Sequence, residues 1–303
     1  MMLHRVTGNR PSIQGIKAAL AAGRLSHSIL LTGEKGTGTG FAARCLAADY
    51  LWPHGGDGAR LVMESRAEDC IEVRGEGAAG EIRIDRIRQV RRQIFSTALQ
   101  GPGRVVILYG AQALNPSSAN ALLKVLEEPP EGVLFILTAT SAAAVLPTIR
   151  SRCVCFAMAP VSEEDCVAYL RQARPGCTEA EFLTRAMGGR IGSALACIDD
   201  DARRAVLEDA VQAARLAGTG DVYGLQLLLA RREKDKPGAR QLLEDLRGIC
   251  AAGLGENPLV KELSPAKAAA LMQLAGQTNN QLAGNVSAKL ALACLAARAS
   301  ALG

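Results

Sequence analysis

The run Gly33-Glu34-Lys35-Gly36-Thr37-Gly38-Thr39-Gly40 places glycines at the spacing of a phosphate-cradling loop. In the complete form, G-x-x-x-x-G-K-[ST], backbone N–H groups surround the phosphates, the lysine neutralises the outer ones and the hydroxyl binds Mg²⁺. Gly33 and Gly38 are in register, with Gly36 between them, but Thr39 stands at the lysine position and Gly40 at the hydroxyl position. Lys35 lies four residues too early to take over. Phosphoryl transfer also needs carboxylates at the end of a neighbouring strand. The candidate strand, 105–108, runs into Tyr109-Gly110-Ala111-Gln112, with no acid. Two halves of a nucleotide-hydrolysing site are therefore missing. A plain glycine turn with no ligand also fits these residues, because glycine is favoured wherever φ > 0. The flanking strand and helix, at matching loop lengths, favour a decayed phosphate loop.

The elements that would hold such a loop can be read from apolar patterning. Residues 28–32 form a buried strand before the glycines, and a helix follows from Phe41 to about Tyr50. Residues 54–81 read as mostly loop around one short strand. Asp85 is a good cap for a helix whose Ile87, Val90 and Ile94 share a face. Val105 to Leu108 is an unbroken apolar run, as a strand buried on both faces requires. Asn115 and Pro116 then open a helix that Pro129-Pro130 stop, with Ala119, Leu122, Leu123 and Leu126 on one face. Leu134 to Leu137 and Cys153 to Phe156 supply two more strands. Strands alternating with helices imply a parallel sheet with helices on both faces. After about Pro160 only helical patterns remain, with breaks at Pro175-Gly176, Gly188-Gly189, Gly218-Gly220, Lys236-Pro237-Gly238 and Asn257-Pro258. The expected parse is an α/β domain over 1–158, a small helical lid over 159–206 and an all-α domain over 207–303.

Composition narrows the class without naming a function. The 303 residues are 49% hydrophobic and 21% charged, but only 3% aromatic, so Leu, Ala, Val and Ile must build the core. No apolar run approaches the length of a membrane-spanning helix, and the first eleven residues lack the apolar segment of a secretion signal. A cytoplasmic location with no membrane contact is expected. Nine cysteines are scattered with no C-x-x-C pair, which predicts core thiols and no metal site. The net charge of +5 permits nucleic-acid contact without demanding it.

Three blocks carry a resemblance. Asn120-Ala121-Leu122-Leu123-Lys124-Val125-Leu126-Glu127-Glu128-Pro129-Pro130 resembles the N-A-L-L-K-x-L-E-E-P-P signature of bacterial clamp-loader subunits. Leu146-Pro147-Thr148-Ile149-Arg150-Ser151-Arg152-Cys153 is similar to their L-x-x-T-I-x-S-R-C segment, and His27 to Gly33 to their H-x-x-L-x-x-G entry. The chain is identified as a member of the gamma/tau and delta-prime AAA+ family of DNA polymerase III. The resemblance implies an AAA+ P-loop-type sheet domain, a lid and a C-terminal collar that carries oligomerisation. The incomplete loop (Gly33, Gly36, Gly38, Thr39, Gly40) fits the delta-prime type, a stator with no ATPase of its own. The rivals are an active gamma/tau-type ATPase and an AAA+-like adaptor outside replication.

For site residues, the resemblance implies that Arg152, in its Ser151–Cys153 context, is an arginine finger for the ATP site of a neighbouring subunit. A guanidinium is always charged and its planar fork suits phosphate oxygens. No cofactor is expected in this chain, ATP belonging to the neighbour, and no zinc. The lid's nucleotide-sensing arginine would fall at Gly192 and is absent. Thr138 and Thr140 resemble the family's sensor position, though a structural role is expected without an intact loop. Implied partners are gamma/tau and delta subunits, the sliding clamp and primer–template DNA. Arg83, Arg86, Arg88, Arg91 and Arg92 are candidate phosphate contacts, and a solvated basic face explains them equally well. Leu225, Leu228, Leu229, Leu242, Leu243 and Leu246 exceed what one thin helical layer would bury; the resemblance implies a collar, and an internal bundle core must account for most of them.

Overall fold

Short Val/Ile/Leu runs bounded by glycine or proline become strands in this chain, and the amphipathic stretches between them become helices. The computed structural model describes residues 1–76, 80–95, 101–252, 254, 258–284 and 286–300. They fall into two compact units, Met1–Val161 and Ser162–Gly303.

In the first unit the order is α1 (Arg10–Ala21), β1 (Ser28–Thr32), α2 (Thr39–Leu51), α3 (Asp57–Met63), β2 (Cys70–Val73), α4 (Ile84–Ile94), β3 (Arg104–Leu108), α5 (Pro116–Glu127), β4 (Val133–Ala139), α6 (Pro147–Arg150) and β5 (Val154–Ala157). The five strands form one sheet in the order β2-β3-β4-β1-β5, every pair parallel, with Leu30 opposite both Leu137 and Cys155. Successive strand side chains point to opposite faces. Ile29, Leu31, Val105, Ile107, Leu134 and Ile136 pack with α1, α2 and α3. Leu30, Val106, Leu108, Phe135 and Leu137 pack with α4, α5 and α6. The chain leaves β1 towards β2 on one side and reaches β5 on the other, so the order switches beside β1. Crevices at such switch points, beyond the strands' carboxyl ends, are where ligands bind in open α/β sheets.

Two side chains anchor the ends of this layer. Asp49, buried in α2, accepts hydrogen bonds from the backbone N–H groups of Met2 and Leu3, fixing the N-terminal turn. His27 Nε2 lies 3.0 Å from the Leu126 carbonyl, one of the last-turn oxygens that a helix cannot satisfy internally.

Several sequence expectations need correction. Residues 54–81 hold the helix α3 as well as β2; Gly58 lets it approach so closely that a Cβ there would lie 2.2 Å from the Trp52 indole. Tertiary packing, not local propensity, makes this helix. Helix α2 begins at Thr39, two residues before the expected start, because Gly38 at φ 90° ends the loop. Asp85 is not the cap of α4: extended Arg83 takes that position and Asp85 lies in the first turn. The break expected near Lys236-Pro237-Gly238 falls at residues 231–235, and these three residues open the helix Lys236–Ala252, since proline suits a first turn and Asp235 accepts from Gly238 N–H at 2.9 Å. Asn257 lies outside the described residues.

The second unit is helical: α7 (Glu163–Ala173), α8 (Ala180–Met187), α9 (Ile191–Asp199), α10 (Asp201–Thr219), α11 (Val222–Ala230), α12 (Lys236–Ala252), α13 (Pro265–Ala283) and α14 (Ala288–Ser300). Helix α10 is continuous through 206 and 207, and Arg203 forks onto Asp245 of α12 with bonds of 2.6 and 2.7 Å. The six leucines weighed between an internal core and the collar are all buried inside this bundle. What α11 and α14 expose instead is Val222, Tyr223, Leu227 and Leu290. Among the described residues no helix is long and apolar enough to cross a membrane.

The Asn115 cap was legible and has a measurable consequence. Its Oδ1 accepts from Ser118 N–H at 2.8 Å, and its Nδ2 donates to Glu81 at 2.6 Å. Asn115→Ala is expected to cost about 1 kcal/mol in urea unfolding. An unchanged midpoint would show that α5 needs no cap.

Candidate functional site

The glycine loop leaves β1 at Gly33, whose N–H donates to Ala139 at 3.0 Å. Only glycine fits here, because a Cβ would lie 2.5 Å from the Met158 carbonyl oxygen and 2.6 Å from Thr37 Oγ1. Gly36 and Gly38 both hold φ near +90°, which side-chain-bearing residues rarely adopt. Thr37 closes the loop from inside. Its N–H and its hydroxyl both donate to the Glu34 carbonyl, at 3.1 and 2.7 Å. Thr39 then opens α2.

At Gly40, where a metal-binding hydroxyl would start, a Cβ would meet the Tyr109 ring at 3.2 Å. Tyr109 follows β3 directly, at the place where a catalytic strand presents its acid. The Arg74 guanidinium covers the ring, 3.7 Å from its centroid. Burial, reinforced by the charge of Glu72, pushes the Tyr109 phenol above its ordinary value, and its buried hydroxyl finds no hydrogen-bond partner among the described residues. The ring therefore fills the space between loop and strand end with neutral carbon. Thr138 Oγ1 accepts from Gly110 N–H at 3.2 Å, so it ties β4 to the end of β3, while Thr140 is exposed.

Arg152 follows α6. One of its Nη atoms donates to the Thr148 carbonyl at 2.9 Å, and the other forms an ion pair with Glu127 of α5. Ser151 Oγ donates to the same carbonyl at 3.1 Å. Cys153 packs against the α4/α5 core, where burial pushes its thiol up to about 12. Gly192 stands exposed in the first turn of α9.

The arginine cluster divides. Arg86 turns inward, donating to the Glu72 carbonyl at 3.0 Å and to Gln89 at 2.7 Å. Arg83 and Arg92 are exposed. Arg88 and Arg91 line a groove of about 300 Å³ between α4 and α5, with Ser117, Asn120 and Lys124 on its other wall. Arg88 also pairs with Asp85 at 3.3 Å. Three cationic side chains thus meet along one groove, and Lys124 is the member that reading one helix at a time missed. Sequence reading also missed the packing of Tyr109 on Gly40 and the pairing of Glu127 with Arg152, both contacts between distant segments. Among the described residues no group of three His, Cys, Asp or Glu side chains comes together as a metal site.

Comparisons with known proteins agree with this architecture. A family profile described as "DNA polymerase III, delta subunit" matches residues 8–162, more than half of the chain. DNA polymerase III subunit gamma of Buchnera aphidicola (subsp. Acyrthosiphon pisum) is 30% identical over 171 residues, covering 55% of this chain and 47% of that protein. Subunit delta' of Escherichia coli K12 is 29% identical over 201 residues, covering 63% of this chain and 60% of that one. This chain spans about half the length of the Buchnera protein. A gamma subunit-related protein from Thermotoga maritima shares the fold, with a TM-score of 0.55 at 20% identity over 94% of this chain and 98% of that one. Fold and sequence together define a clamp-loader AAA+ protein. The chain belongs to the DNA polymerase III delta subunit family.

The cysteines give a direct check on burial. Burial pushes the thiols of Cys45, Cys70, Cys153 and Cys250 up to about 12, while Cys155 and Cys294 are exposed. The thiolate is the nucleophile. Brief iodoacetamide treatment of the folded protein at pH 8 is expected to modify Cys155 and Cys294 and spare those four. Peptide mass spectrometry finding Cys45 or Cys250 alkylated at the rate of Cys155 would contradict this packing.

Proposed function

We propose that this chain is a non-hydrolysing subunit of a DNA polymerase III clamp loader, of the delta-prime type, acting on the ATP site of its neighbour. The observation that carries the reading is the Tyr109 ring against Gly40. Phosphoryl transfer needs a cation at the outer phosphates, a metal ligand and an acid at the strand end. Here those positions hold Thr39, Gly40 and a tyrosine under an arginine. The loop is read as a decayed P-loop that keeps the fold of a nucleotide site without its chemistry.

Arg152 is the residue assigned to the neighbour. It stands half-exposed after α6, and a fork of N–H donors is suited to γ-phosphate oxygens. Arg88, Arg91 and Lys124 are assigned to the phosphates of primer–template DNA, which a basic groove can grip without reading sequence. Residues 159–206 are assigned as a lid and 207–303 as the collar that joins the other subunits, with α10 running across that boundary and the clamp and DNA held by the assembly. The exposed face of α11, Tyr223 at 72% and Leu227 at 51% exposure, is the collar's contact surface in this reading.

Three experiments test it. In a loader reconstituted with gamma/tau and delta subunits, clamp and primed DNA, Arg152→Ala is expected to assemble normally and slow ATP turnover. Removing an arginine finger costs roughly 10³–10⁵ in rate at a site that depends on it alone. The loss in the whole loader is smaller, because other sites carry their own fingers. The isolated chain should release no phosphate from ATP and Mg²⁺. Sustained magnesium-dependent turnover by it would favour the gamma/tau-type reading. For the collar, Tyr223→Glu with Leu227→Glu is expected to leave the helical content unchanged and abolish co-elution with the other subunits. Normal co-elution would remove this face from the interface.

A further inference from the structure

Arg152 is folded back onto its own chain. Its guanidinium is held between the Thr148 carbonyl, at 2.9 Å, and the Glu127 carboxylate. Arg152 is 36% and Glu127 48% exposed, so solvent and an arriving partner both have access to the pair. Glu127 is the last residue of α5, and Glu128 follows it. A helix C-terminus already concentrates negative potential, so a carboxylate there is poorly placed unless a cation meets it. Arg152 is that cation. The arrangement gives the arginine a defined resting position and the carboxylate a reason to keep it.

We propose that Glu127 is a positioning residue for Arg152, a parking carboxylate that holds the guanidinium on its own subunit until a more strongly charged acceptor replaces it. The proposal rests on the reading of Arg152 as a finger for a neighbouring site. A γ-phosphate carries more charge than a carboxylate and offers several oxygens to the same fork, so it displaces Glu127. A diphosphate has no group at that position, and the arginine returns. Glu127 thereby sharpens the response to the triphosphate and lowers turnover when the interface is loosely engaged. Exposed ion pairs are weak, and this one is expected to favour the parked state by only about 1.5- to 5-fold.

The test uses the reconstituted loader, with ATP turnover measured first without clamp or DNA. Glu127→Gln keeps the side chain's size and removes its charge. It is expected to raise turnover about 1.5- to 5-fold while co-eluting normally with the other subunits. The rise should vanish in the Arg152→Ala background, where nothing is left to park. It should also shrink towards one as salt is raised, because screening weakens the wild-type pair. If Arg152→Ala slows turnover but Glu127→Gln leaves it unchanged or lowers it, the parking role is wrong and the finger stands. A Glu127→Gln effect that persists without Arg152, or that ignores salt, also overturns the parking role. If Arg152→Ala changes nothing, the finger reading fails and this inference fails with it.

Discussion

Strand β1 lies between two parallel neighbours with helices above and below, and that burial constrains the rest of the first unit. Its peptide groups must find partners on both sides, which β4 and β5 supply in register. Its side chains must suit two apolar faces, which Ile29, Leu30 and Leu31 do alternately. Polar chemistry is displaced to the place where the strand ends. The glycine loop, Tyr109, Thr138 and Met158 all gather there because the strand ends in register. The turn into α2 itself requires the glycines at 33, 36 and 38, where a side chain would clash or hold a strained backbone.

The elements that were legible in the sequence are those whose signal is local. Ser28–Thr32 is bounded as expected, and Asn115, Pro116 and Pro129 delimit α5 as their capping chemistry requires. What escaped was decided by packing and capping that apolar periodicity alone does not carry. Helix α3 buries Ala59 and Val62 in the core it shares with α2, with Trp52 lying against Gly58, partners outside the 54–81 window. Proline in Lys236-Pro237-Gly238 marks a start or a stop equally well until Asp235 is seen capping the turn. The missing lysine and acid could be read directly, whereas the ring filling their space depends on Gly40, Arg74 and Tyr109 meeting from three elements.

The second unit shows the limit of counting leucines. An apolar face on a helix says that something covers it, not what. Leu225, Leu228, Leu229, Leu242, Leu243 and Leu246 cover one another within the bundle. Tyr223 and Leu227, four residues apart on one side of α11, remain outside it. The Arg203–Asp245 fork ties α10 to α12 across the position where patterning suggested a division.

The packing of Tyr109 on Gly40 also couples the two positions. A serine or threonine at position 40 would bring its Cβ to 3.2 Å from the ring, and its hydroxyl would have to find room beyond that. An acid at 109 would remove the ring that Arg74 covers and leave that space unfilled. A larger residue at 40 needs the ring to give way, and a smaller one at 109 takes away the ring that Arg74 covers, the coupling expected of residues in contact. Positions 40 and 109 are therefore not free to change independently: the room open to a side chain at one is set by what stands at the other.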